Sequence, residues 1–252
     1  MSYLIGRDNN AKTIKGNELK FATGVLNLAP FNLSGVMNVC SQATPGCAAA
    51  CLNTAGHGGM FDASGTNKVQ EARIKRTEWL FNDRKSFLKQ LDKEIQLFIK
   101  WSEKKGFTPV IRLNCTSDLA WESATFSGGI WEDGFKGSII ERYPNVQFYD
   151  YTKILPRMMK YLRGKMPSNY HLTFSWAETQ KKQNEAMFVL GAGGNVAVVF
   201  SNENFPKRYK GFKVINGDKH DLRFLDKKNV IVGLKAKGKG KKDKSGFVVP
   251  LS

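Results

Sequence analysis

The sequence predicts an α/β domain built as a partial (β/α) barrel, mostly parallel-stranded and carrying one insertion loop. Short apolar runs alternate with amphipathic helical runs along most of the chain. That alternation implies right-handed βαβ units and a largely parallel sheet. Six or seven such strands can be read, fewer than a full eight-fold barrel needs. With 252 residues and 41% hydrophobic content the chain suits a single domain over 1–252 with one sizeable core.

Residues 19–28 are short and apolar and read as the first strand. Pro30 and a Gly/Ser/Asn stretch follow as loop. The cysteine loop occupies 38–56, and Gly56, Gly58, Gly59 and Gly65 mark sharp bends or close approaches. From about 67 to 105 the pattern is helical. Phe87, Leu88, Leu91, Ile95, Phe98 and Ile99 make one buried face, while Lys89, Lys93, Glu94 and Glu103 fall on others. Asn82-Asp83 divides the run into two helices, with Asp83 as an N-cap. Strands are then expected at 109–114, 146–150, 171–175, 195–200, 212–215 and 230–234, with a last one at 247–249. Helices are expected at 154–163, where Pro156 fits the first turn, and at 178–190, closed by Gly191, Gly193 and Gly194. Residues 119–140, with Trp121, Trp131, Gly128, Gly129, Gly134 and Gly137, read as the insertion loop.

No run approaches the roughly 18 apolar residues of a membrane span, and the N-terminus lacks a secretory signal's order. The chain therefore reads as cytoplasmic, with no membrane partner. Thiols in that compartment stay reduced, so clustered cysteines point to metal or chemistry rather than to disulfides. Net charge is +17, from 39 Lys+Arg against 22 Asp+Glu. Such a field attracts nucleic acid, nucleotides or other polyanions; the bland alternative is a solvated basic surface.

Cys40, Cys47 and Cys51 lie at C-x6-C-x3-C spacing, three of the chain's four cysteines within twelve residues. Pro45 and Gly46 force a tight turn that folds the thiols inward. Thiolates select iron–sulfur clusters or zinc. Three ligands leave one iron of a 4Fe-4S cubane without a protein donor, where a small molecule can bind. Zinc needs a fourth ligand, such as Cys115 or His57. The remaining alternative is that these are small buried hydrophobes.

In parallel α/β folds, chemistry gathers beyond the carboxyl ends of the strands. Asn114, Thr116, Ser117 and Asp118 follow one strand. Asp150, Tyr151, Thr152 and Lys153 follow the next; Ser175, Trp176 and Glu178, then Ser201 and Asn202, follow the others. Together they suit a pocket for a small molecule or nucleotide at the rim. Asn114, Thr116, Asp118, Asp150, Lys153 and Ser175 are the candidate ligand contacts, with Asp118, Asp150 and Lys153 the candidate catalytic groups. Each has a plainer reading as a helix cap or a local ion pair, Asp150 with Lys153 among them. Asp218, Asp221 and Arg223 form a polar turn that reads as exposed, as does His220, while His171 reads as structural. Lys235 to Lys244 holds six lysines in ten residues, either a cationic flap suited to phosphate or a solvated loop.

The strand, cysteine loop, helix and alternating strands together resemble radical S-adenosylmethionine enzymes. In those, three cysteines after the first barrel strand hold a four-iron cluster, usually at C-x3-C-x2-C, a spacing this chain departs from. The resemblance implies a 4Fe-4S cluster on Cys40, Cys47 and Cys51, S-adenosylmethionine at the open iron, and a radical-type enzyme. A resemblance spanning nearly the whole chain is to the bacteriophage gene product 88 family. It is carried by Asn27-Leu28-Ala29-Pro30, Thr44-Pro45-Gly46-Cys47-Ala48-Ala49-Ala50-Cys51, Arg112-Leu113-Asn114, Phe148-Tyr149-Asp150-Tyr151-Thr152-Lys153 and Val230-Ile231-Val232-Gly233-Leu234-Lys235. It implies a phage origin, hence the cytoplasm of an infected bacterial host, and carries no activity over. The rival expectation is a basic nucleic-acid-binding protein with a structural metal, its strap of lysines on phosphate and Trp121, Trp131 and Trp176 stacked on bases.

Overall fold

The structure, a computed structural model, describes residues 3–7, 11–123, 126 and 131–251. Its strands are β1 (Ile5–Arg7), β2 (Phe21–Leu26), β3 (Thr108–Arg112), β4 (Gln147–Thr152), β5 (Tyr170–Ser175), β6 (Val196–Phe200), β7 (Arg208–Tyr209), β8 (Phe212–Asn216) and β9 (Ile231–Lys235). They form one mostly parallel sheet in the order β1-β2-β3-β4-β5-β6-β9-β8-β7. The edge strands β1 and β7 are antiparallel to their neighbours, and the sheet does not close on itself. The helices are α1 (Ala11–Ile14), α2 (Pro45–Ala49), α3 (Lys68–Asn82), α4 (Arg84–Lys104), α5 (Leu155–Leu162) and α6 (Gln180–Gly191).

Alternation along the strands separates two faces. Ala22, Leu26, Ile111, Phe148, Leu172, Phe174, Val198 and Phe200 point to the helical side and join the main core. On α4, Phe87, Leu88, Leu91, Ile95 and Phe98 bury the stripe that the periodicity predicts. Asp83 caps that helix as expected, its side chain accepting from the Ser86 N–H at 3.0 Å. The opposite face carries Val110 and Tyr149, packed with Leu222, Phe21 and Phe224.

Several expectations need correction. β1 lacks a readable signal because it is three residues long and is held by a side chain far along the chain. Glu94, expected on an exposed face, is buried and accepts the N–H groups of Leu4 (2.6 Å) and Ile5 (2.9 Å). Residues 247–249 make no strand, only an isolated bridge from Val249 to Phe200. In the expected insertion loop, Trp121 and Trp131 are core residues whose indole N–H groups donate to Asn114 Oδ1 and to the Gly137 carbonyl. Gly128 and Gly129 lie outside the described residues. The crossover from β8 to β9 is no exposed turn. Asp221 and Arg223 are 3% and 0% exposed; Asp221 pairs under the sheet with Arg112, remote in sequence, while Arg223 pairs locally with Asp226 and the His220 carbonyl. Among the described residues no helix is long and apolar enough to cross a membrane.

Candidate functional site

The cysteine segment begins where β2 ends and is fixed by the loops that follow β3 and β5. Asp118 donates its backbone N–H to Val39 O at 2.8 Å, and the Thr116 hydroxyl donates to Leu28 O at 2.6 Å. Cys40 thereby sits with its Sγ 3.7 Å from Thr116 O. Thr44 caps α2, its hydroxyl oxygen accepting from the Cys47 N–H, and Pro45 occupies the first turn. Glu178, beyond the end of β5, grips that turn from outside. Its carboxylate accepts the Thr44 hydroxyl at 2.6 Å and the Gly46 N–H at 2.8 Å. A Cβ on Gly46 would stand 2.3 Å from Ser245 Oγ and 2.8 Å from Glu178 Cδ, so a side chain there would push the Ser245 hydroxyl and the clamping carboxylate aside. Cys47 lies within α2 and Cys51 just after it, with Thr54 closing onto the Cys51 carbonyl.

Residues 235–244 read from sequence as either a cationic flap or a solvated loop. The lysine-rich stretch forms a 3-10 turn, Gly238–Lys242, seated on the turn Leu52–Thr54. The Lys239 N–H donates to Thr54 Oγ1, and Gly238, at φ +52°, approaches the same residue too closely for a side chain. It is a packed strap.

All four cysteines are free and half-buried. Burial pushes the Cys40 thiol up to about 12; the Phe31 N–H opposes this, and the neighbouring Cys51, Asp118 and Cys47 add to it. Burial raises Cys51 as well. The Asn53 N–H counters that, Cys47 adds to the rise, and Lys153 and Arg73 lower it. Three thiols thus lie within one another's electrostatic reach, with two cations beside Cys51. Cys115 belongs elsewhere. Burial raises it most, and its charged neighbours are Arg112, Asp221, Arg73 and Asp150. His57 is exposed, its loop held by Asn67 donating to its carbonyl. Among the described residues no three His, Cys, Asp or Glu side chains converge closely enough to hold one metal ion.

The rim candidates divide. Asn114 is 2% exposed and is the hub of its loop, accepting from Ser117, Leu119 and Trp121 and donating to Leu119 O and Asp150. Asp150 does not pair with Lys153. It is buried between the Asn114 N–H and the Tyr170 hydroxyl, each at 2.8 Å, and burial pushes its carboxyl up to about 7. Asp118 accepts the Lys153 N–H at 2.8 Å and Arg157 at 3.0 Å. Arg157 also binds Glu122 through two 2.8 Å bonds and contacts the Tyr170 hydroxyl. Asn114, Asp118 and Asp150 therefore knit the loops together under the helical layer. Thr116 and Lys153 stand at the cysteines: Lys153 acts on Cys51 and lies 5.5 Å over the Phe247 ring. Ser175 is half-buried at the end of β5. Across the sheet Arg112 pairs with Asp221 at 2.8 Å and lies 4.7 Å over Tyr151.

Reading from sequence left out Arg73, Arg112, Glu122 and Arg157. Arg112 had a signal, a charge inside an apolar strand. Arg157, on a short helix beside other basic residues, had none. Trp121, Trp131 and Trp176 are 0%, 7% and 4% exposed, so the expected stacking on bases is withdrawn: their rings fill the core.

The family model for Gene product 88 matches residues 3–250. The chain belongs to the Gene product 88 family. The match spans the cysteine loop, every strand and the lysine strap, so they are parts of one phage-associated family unit. No curated protein and no solved structure matches this Gene product 88 chain.

Proposed function

We infer that this chain is an iron–sulfur protein, with Cys40, Cys47 and Cys51 holding a 4Fe-4S cluster at the carboxyl-end rim of a partial (β/α) barrel. The observation that carries the reading is three free thiols in mutual electrostatic reach on a loop clamped across three strand ends. A single zinc ion draws its donors to roughly 2.0–2.3 Å from one point. A cluster puts each thiolate on a different iron, so it takes thiols set apart around a shared volume. Among the described residues the thiols interact without converging on one point, which suits the second case better than the first. Bound there, a cluster with one iron free of protein ligand supplies one-electron transfer and an open coordination position.

The chain's own groups have distinct tasks. Arg73 and Lys153 offset the negative charge gathered at Cys51. Thr116 O and the Phe31 N–H orient the Cys40 side chain. Glu178 fixes α2, and the strap 238–242 covers the outgoing turn. Lys153, at the cysteine edge, is placed to meet an anionic group of a small molecule or nucleotide, S-adenosylmethionine being the first to test. The reduced cytoplasm of an infected host would keep the thiols available.

The test is purification without oxygen followed by iron and acid-labile sulfide analysis. Close to four of each per chain, lost in Cys40→Ser, Cys47→Ser and Cys51→Ser but kept in Cys115→Ser, is the expected outcome. Zinc, or no metal in protein that folds, would overturn it. A change in the electron paramagnetic resonance of the reduced cluster on adding S-adenosylmethionine tests that ligand separately.

A further inference from the structure

We propose that the β7–β8 hairpin is a contact for the phosphate backbone of duplex DNA. Residues 207–213 read Lys-Arg-Tyr-Lys-Gly-Phe-Lys, four cations and no acid. Lys207, Arg208, Lys210 and Lys213 are all exposed. The acids flanking them in sequence are engaged: Glu203 pairs with Lys235 and Asp218 with Lys237.

The ribbon is built rather than loose. Lys210 and Gly211 form its two-residue turn with φ of +50° and +86°, the left-handed pair that matches strand twist. Tyr209 anchors it against the Trp176 and Phe200 rings at 5.8 and 5.4 Å. Arg208 and Lys213 stand directly opposite one another. Like charges at such a position destabilise a hairpin, and a bound anion relieves that repulsion. Tyr209 and Phe212 are spent on the core, so the ribbon presents cations without an exposed apolar anchor. An acidic protein would be gripped through such an anchor, whereas a phosphate chain needs only charge. A two-stranded ribbon also fits the major groove of B-form DNA.

The experiment is fluorescence anisotropy of a short labelled DNA duplex of arbitrary sequence, titrated with the full chain over a range of salt. The triple variant Arg208→Gln, Lys210→Gln, Lys213→Gln is compared with Lys239→Gln, Lys241→Gln, Lys242→Gln, which loses equal charge on the strap. Circular dichroism and melting verify that both fold. Hairpin substitution should reduce the slope of log affinity against log salt by about one per residue, and the strap substitution by less. The idea is overturned if the natural chain does not bind the duplex near physiological salt. It is equally overturned if the strap variant loses as much as the hairpin variant, or if poly-glutamate binds as tightly as DNA. Iron and sulfide content plays no part, so its outcome is separate from that of the cluster.

Discussion

Glu178 shows how one carboxylate can hold a loop whose sequence neighbours lie more than 130 positions away. It satisfies the Gly46 N–H at the open end of α2 and the hydroxyl of the residue that caps it. Hydrogen bonds to a charged group contribute roughly 1.5–3 kcal/mol. Glu178→Gln keeps one acceptor and loses the charge, so it should cost about 1 kcal/mol in denaturant unfolding and lower the iron and sulfide content that the proposed cluster calls for. Gly46→Ala acts on the same contact, since its methyl would force the Ser245 hydroxyl and the Glu178 carboxylate to move. It should loosen the Glu178 clamp and lower the iron and sulfide content that the proposed cluster calls for, while the far-ultraviolet circular dichroism of the sheet and long helices persists. Normal iron and sulfide in Gly46→Ala would show that the clamp is idle.

At the scale of elements, Glu94 does for β1 what Glu178 does for α2. Two backbone donors of an edge strand end on one buried carboxylate, itself braced by Gln90. Leaving buried donors unpaired costs roughly 1–3 kcal/mol each. Glu94→Ala should therefore destabilise by about 2–4 kcal/mol and speed amide exchange at residues 4–7; unchanged exchange there would sink the argument. The same element marks the limit of reading from sequence. Period and caps located the helices of 68–104 and the parallel strands within a residue or two, because those signals are local. β1 and the buried crossover after β8 were illegible, since Glu94 and Arg112 reach partners 90 and 109 positions away. The candidate site divides in the same way. The cysteine spacing and the strand-end rule put the thiols beside the loops that follow β3 and β5, and the hydrogen bonds join those segments. Whether Asp150 faces a ligand or a tyrosine depends on which residue of β5 lies alongside, and a local pattern does not encode that register.

For the whole molecule, two buried groups pull stability in opposite directions as pH changes. Asp150 is pushed up by burial, from an ordinary 3.8 to about 7. Between those values the folded chain binds the proton and the unfolded chain does not. Stability then falls as pH rises through the window, and the whole penalty is present above it. His171 is pushed down, mainly by burial and also by Arg223, from 6.5 to about 4. There the unfolded chain binds the extra proton, so stability is complete above pH 6.5 and is lost as pH falls toward 4. Each shift corresponds to a few kcal/mol at roughly 1.4 per unit, and the windows nearly coincide. Between pH 4 and 6.5 the two slopes offset one another in the natural chain, leaving a flat profile. Asp150→Asn keeps an acceptor for the Asn114 N–H and removes the titration. It should gain stability at pH 7 and uncover the histidine slope, with denaturant midpoints that fall steadily as pH drops from 6.5 to 4. His171→Gln should uncover the opposite slope, with midpoints rising on acidification over the same range. If both variants track the natural protein across that range, Asp150 does not hold a proton and His171 does not exclude one in the folded chain.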